Sequence, residues 1–187
     1  MTFGQIKKRA LEQAGESAED IAEYDGLLGA YVNEGYHELI RRAYKPKAKV
    51  MLPMEEESGS IAADMIPRLI EVTRVCVRGR SIPFIAGEQR IVPERGMLAS
   101  QEHEAEVTYV HDEPELMQEK DAPRLPLWTH GALADYATWR FCMNGGAAQR
   151  SRAEFYFLRF REIFFRLRPQ GEIGPEIGNM HGLHDCT

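Results

Sequence analysis

The apolar positions of this chain change their period twice. From Thr2 to Tyr44 they recur every three or four residues, as on one face of a helix. Thr2-x-x-Gln5 has the spacing of a capping box, in which a hydroxyl takes a free amide and a carboxamide reaches back. Phe3, Ile6, Ala10 and Ala14 follow at helical intervals, and Gly15 suits a helix stop. A short first helix is expected. The acidic residues Glu16, Glu19, Asp20, Glu23 and Asp25 then precede a second stripe, Leu28, Val32, Tyr36, Leu39 and Ala43. Acidic residues favour the positive end of a helix dipole and the basic Arg41, Arg42 and Lys45 its negative end, so a second helix is expected to about Tyr44, ended by Pro46. Gly26, Gly29 and Gly35 each weaken that helix by about 1 kcal/mol against alanine, or mark a close helix approach.

From Pro46 the segments KVMLPM, RLIEVTRVCVRG, RSIPFIAG, QRIVPERG and EAEVTYVHDEP are short, β-branched and bounded by Gly and Pro. Strict alternation over Leu69–Val77 puts Leu69, Glu71, Thr73, Val75 and Val77 on one face, and Ile70, Val72, Arg74 and Cys76 on the other. Both faces are partly apolar, which predicts a central strand. Arg78-Gly79 is a tight-turn pair leading to RSIPFI as the partner strand. Pro83 and Pro93 mark edges. From Pro126 the helical period returns. Leu133, Tyr136, Ala137 and Phe141 form a third stripe, stopped by Asn144-Gly145-Gly146. The fourth runs from about Ala147 to Arg168 through Ala153, Tyr156, Phe157, Phe160, Ile163, Phe164 and Leu167. Phe155 and Phe165 lie off that stripe, and a helix apolar on more than one face needs a second partner. The expected fold is α+β: an antiparallel bundle of about four helices (1–45 and 124–168), an inserted small antiparallel β unit (46–123) and an extended C-terminal arm (169–187).

Composition narrows the function. The chain has 187 residues, 43% apolar and 28% charged, with a formal net charge of −6, which argues against general nucleic-acid binding as its main role. The charge is segregated. Residues 101–121 hold eight acids and one lysine, whereas residues 140–168 hold seven arginines and two glutamates. Such patches can attract a partner or further copies of the chain. The three cysteines, Cys76, Cys142 and Cys186, are odd in number and widely spaced, so no disulfide framework is implied and a reducing compartment fits. The first residues lack a signal-peptide pattern, and no apolar run approaches the roughly 18 residues of a membrane span.

Catalytic signatures are missing. The chain has no P-loop, no GxGxxG, no GxSxG and no HExxH. His181, His184 and Cys186 offer three zinc-type ligands without an obvious fourth, which keeps a small metal-dependent enzyme or regulator as an alternative. His130 and Asp135 are five residues apart, on different faces of a helix, and make a poor dyad. The run Glu55-Glu56-Glu57 suits a solvated loop, and Cys142 a buried apolar site. No cofactor and no enzymatic activity are expected.

The order of elements carries a resemblance. A short helix leads to a long one ending in ELIRRAY. A β insertion follows around MIPRLIEVTRVCVRGRSIPF. Then comes LPLWTHGALADYATWRFCMNGGAAQRSRAEFYFLRFREIF. Over about residues 2–168 the chain resembles the head–tail connector (adaptor, head-completion) proteins of tailed bacteriophages. In them a proline-led helix with an aL-x-x-Y-A pattern, here Ala132 to Ala137, pairs with a last helix bearing spaced aromatics, here Tyr156, Phe160 and Phe164. The resemblance implies a virion structural protein of the neck, assembled in the bacterial cytoplasm. It implies a ring, usually twelvefold, beneath the portal protein, which completes the head and docks a neck or tail protein while packaged DNA passes through unbound, away from any membrane. It also implies a portal-binding arm, with Ile173, Ile177, Met180 and Leu183 as apolar anchors. Phe155, Phe165, Arg159 and Arg166 become candidates for the contact between copies. A host intracellular helical adaptor is a further alternative.

Overall fold

The computed structural model describes residues 1–17, 20–56, 58–94 and 103–168. It corrects the expected fold. Its described residues are α+β, with four α-helices and seven strands in two antiparallel sheets, rather than a helical bundle with a small β insert. The physical reason is that the short apolar segments between Lys47 and His111 bury enough side chains to close a core of their own. Leu52, Ile61, Val75, Ile91 and Val107 lie at its centre. The expected arm, 169–187, lies outside the described residues. Among the described residues two compact units result, one built from Met1–Tyr44 and residues 113–168, the other from Lys45–Asp112.

The first unit contains α1 (Phe3–Ala14), α2 (Ile21–Leu39), α3 (His130–Met143) and α4 (Ala147–Leu167). The capping box forms: the Thr2 hydroxyl accepts from the Gln5 amide at 3.4 Å, and the Gln5 carboxamide oxygen accepts from the Thr2 amide at 2.9 Å. Gly15 stops α1 at φ 90°, a backbone conformation open to glycine. α2 does not stop at Leu39 but widens into a π-helical turn, Ile40–Tyr44, before Lys45 turns left-handed ahead of Pro46. Pro126 does not open α3 directly; a 3₁₀ turn, Leu127–Thr129, intervenes.

α3 is the central helix and packs on α1, α2 and α4. Its approach to α2 depends on Gly35, where a Cβ would lie 2.8 Å from the Tyr136 ring. No such packing explains Gly26, whose Cβ would meet open space. Lys7 is buried on the inner side of α1, 1% exposed, with its ammonium held by Asp25 of α2 and by Glu119. Asn33 clasps both backbone groups of Leu116, at 3.0 and 2.9 Å. These contacts lash the 113–121 segment along α2.

The second unit contains β1 (Lys47–Pro53), β2 (Ile61–Ala62), β3 (Leu69–Val77), β4 (Arg80–Ile82), β5 (Phe84–Ala86), β6 (Arg90–Pro93) and β7 (Glu104–His111). One sheet has the order β1-β7-β3-β4 and the other β2-β6-β5. β3 is indeed internal, paired with β7 and β4. Its two faces differ from strict alternation, because the register against β7 shifts between Leu69 and Glu71 and again between Val72 and Arg74. Each irregularity moves the following side chains to the other face, so Val72 joins the same core as Val75 and Val77. Arg78 at φ 50° and Gly79 at φ 74° make the two-residue turn into β4. Pro83 then divides RSIPFI: Arg80–Ile82 stays in the larger sheet, and Phe84–Ala86 joins the smaller one.

Candidate functional site

The feature that stands apart is the outer face of α4. Its inner side follows the expected stripe: Ala153 and Phe160 are buried, and Tyr156, Phe157, Ile163, Phe164 and Leu167 are partly buried. Phe160 meets Tyr136 edge-on at 4.8 Å, and Phe157 stacks at 4.6 Å on Trp139. These contacts satisfy the packing of α4 on α3. Yet Phe155, Leu158 and Phe165 remain 58%, 55% and 53% exposed. With Glu162 they sit at spacings of three, four and three residues, the a/d seam of a helix that faces another helix.

Arginines frame this seam. The Arg161 guanidinium lies 5.3 Å from the Phe165 ring centre and 5.7 Å from that of Phe157. Arg166 lies 5.5 Å from the ring of Trp128, itself half exposed, and 3.7 Å from Glu162. Such stacking keeps the cations on the aromatic surface at low entropic cost and leaves their charge available. Among the four contact candidates, Phe155, Phe165 and Arg166 face solvent. Arg159 is committed inside the unit: its Nε is 3.3 Å from Asp135 Oδ2, and its guanidinium covers Phe155 at 5.6 Å. Leu158, Arg161 and Trp128 were not singled out from the sequence. The seven-residue repeat through Phe155, Leu158, Glu162 and Phe165 is the signal that would have found Leu158.

A cleft of about 410 Å³ adjoins this face, lined by Arg9, Trp128, Asp135, Arg159, Glu162 and Ile163 among others. Asp135 lies almost fully buried at its side and accepts a hydrogen bond from Gln13 Nε2 at 3.1 Å. Burial pushes its carboxyl above the ordinary aspartate value, against the pull of Arg159, Gln13 and Arg9. A carboxylate so fully engaged is a pin between α1, α3 and α4 rather than a base poised toward the cleft. His130 is engaged elsewhere: Nδ1 accepts from the Met1 amino group at 3.0 Å, and Nε2 donates to the Leu125 carbonyl at 3.0 Å. Cys142 is buried, which pushes its thiol up and away from reactivity.

In the β unit, Glu55 and Glu56 are exposed in a loop, as expected, and Glu55 is held there by its neighbours. It accepts hydrogen bonds from Ser58 at 2.6 Å and Ser60 at 2.8 Å, which hold its carboxyl below the ordinary glutamate value. Glu57 lies outside the described residues, as do Ile173, Ile177, Met180, Leu183, His181, His184 and Cys186. Among the described residues, no cluster of three or more His, Cys, Asp or Glu side chains is placed to hold a metal ion, and no helix is long and apolar enough to cross a membrane. Compared with protein-family models and with curated proteins, the chain matches none.

Proposed function

We propose that this chain is a structural assembly protein of a tailed-phage particle, a head–tail connector that joins copies of itself beneath the portal and acts by contact rather than by chemistry. The observation that carries the assembly part is the second apolar face of α4. Its three large side chains stay in solvent although the helix is already packed on its other side. Exposed phenylalanines beside stacked arginines are residue types enriched at protein interfaces. The place in the particle rests on the resemblance in element order, with the helix around Ala132–Ala137 pairing with the aromatic last helix. In this reading Phe155, Phe165 and Arg166 face the neighbouring copy. Arg159 sets the position of Phe155, and the 169–187 arm reaches the portal through Ile173, Ile177, Met180 and Leu183.

The test is quantitative mass spectrometry of purified particles from the source system. About twelve copies per particle are expected of a closed ring at this position. Absence of the chain from particles would sink the reading. Deleting residues 171–187 should leave the helical unit folded and remove the chain from particles. Normal incorporation of the truncated chain would refute the docking arm alone.

A further inference from the structure

The helical unit carries a second surface of opposite sign, at the other end of α4. Tyr24 of α2 packs edge-on against Phe141 at 5.1 Å, and Glu16 accepts from Gln149 Nε2 at 2.8 Å, so the start of α2 lies beside the start of α4. Glu23, Glu16 and Asp20 cluster there; Glu23 most of all, then burial, then Glu16 and Asp20 raise the Tyr24 hydroxyl above the ordinary tyrosine value. Asp20 occupies the N-cap position of α2, but its side chain makes no capping hydrogen bond. Beyond it on the same helix Leu27 is 44% exposed. Arg150 and Arg152 stand on the α4 side of this end, so its acidic surface is the α2 side, Asp20 and Glu23 with Leu27 as an apolar foothold. The Leu158–Arg166 half of α4 is apolar with a basic fringe.

One copy cannot join these two surfaces within itself. Gln149, bound to Glu16, marks the end beside the acidic start of α2, and Arg166 the basic end. They are 17 residues apart in one continuous helix, about 25 Å at 1.5 Å per residue. Their charge is unlike, and their exposed apolar groups match in kind. Two complementary patches held apart on one rigid body define a head-to-tail contact, which closes into a ring or runs on as a filament according to its rotation. We propose that the Leu158–Phe165 face of α4, with Arg161 and Arg166, docks on the Asp20–Glu23–Leu27 end of a second copy of this chain. This rests on the assembly reading above and names its partner surface.

Reciprocal charge reversal tests it on the full chain. One variant carries Arg161→Glu and Arg166→Glu; the other carries Asp20→Arg and Glu23→Arg. Each alone sets like charges across every contact. Mixed in equal amounts, they offer one reversed contact and one unaltered contact, so an alternating assembly is possible. Sedimentation velocity at low salt should show the natural chain associating with a Kd of about 1 mM or tighter. Each variant alone should be at least tenfold weaker, and the mixture should recover to near the natural level. Circular dichroism of each variant checks that the helices persist, and recovery in the mixture cannot come from misfolded chains. A mixture no stronger than its components overturns the proposal, as does a natural chain that stays monomeric up to about 1 mM. Particle copy number is independent of this outcome. Twelvefold incorporation without reciprocal rescue retains the connector and rejects this contact; rescue without incorporation retains the contact and rejects the connector.

Discussion

The two units close their interiors in different ways. In the helical unit Lys7, Glu113, Thr129, His130, Asp135 and Thr138 are buried, whereas Ser60 is the one polar side chain so buried in the β unit among the described residues. The buried groups of the helical unit are tied across elements. Thr138 donates to the Ala134 carbonyl at 2.7 Å and lies 3.2 Å from that of Ala10 and 2.8 Å from the Gln13 carboxamide oxygen. Asp135 holds Gln13 of α1 and Arg159 of α4. Apolar stripes tolerate rotation and sliding of one helix on another, but hydrogen bonds of fixed geometry do not. The β unit obtains its register from ladder hydrogen bonds and the Arg78-Gly79 turn, so an almost wholly apolar core suffices. The helical unit needs polar ties to fix which side of α4 faces outward, and that side is the one proposed for assembly.

The largest effects should come from removing core volume. Phe160→Ala in the helical unit, where the ring is 3% exposed, should cost about 3–5 kcal/mol, and Ile91→Ala in the β unit about 2–5 kcal/mol. Urea unfolding followed by circular dichroism measures both. Phe165→Asp, five residues further along the same helix as Phe160, should change stability by less than about 0.5 kcal/mol yet abolish association in sedimentation. A Phe165→Asp loss as large as that of Phe160→Ala would mean that the outer face belongs to the fold. Next in size is Gly35→Ala. Its Cβ would press on the Tyr136 ring, and such overpacking should cost about 1–3 kcal/mol despite the better helix propensity of alanine. A more stable Gly35→Ala protein would show that α2 and α3 can separate freely, against the view that this unit fixes its helices closely.

Local chemistry made much of this legible in the sequence. The Thr2/Gln5 box, the Gly15 stop and the Arg78-Gly79 turn are each decided by neighbours within a few residues, and the structure contains all three. The internal position of β3 followed from apolar residues on both faces. Other features depend on contacts far along the chain. The irregularities of β3 arise against β7, some 35 residues later, and strict alternation therefore misassigned Val72. The division of RSIPFI between two sheets needs the separate partners of β4 and β5, which no local pattern names. Treating the strands as a small insert missed that they enclose a core of their own. At the α4 face, Phe155 and Phe165 stood out because they break the stripe, but Arg159 could not be distinguished from Arg161 without seeing Asp135.

The smallest effect, and the sharpest contrast between the units, is their response to acid. The folded Asp135 carboxyl lies above its unfolded value of about 3.9, chiefly through burial. The native state therefore binds this proton more tightly than the unfolded chain. The contribution of Asp135 to stability is most favourable below about pH 4 and declines as pH rises through the folded value. Glu55 has the opposite sign. Its folded carboxyl lies below the unfolded value of about 4.3, through its hydrogen bonds from Ser58 and Ser60. Its contribution is full above that pH and is lost as pH falls through the folded value. Stability of the natural chain relative to Asp135→Asn should thus fall as pH rises, and relative to Glu55→Gln it should rise. Urea titrations between about pH 2.5 and 7 give both slopes. Slopes of the same sign would break the contrast. A flat difference for Asp135→Asn would mean that the Arg159 pair offsets burial fully, leaving Asp135 a tie whose charge is neutral to the fold.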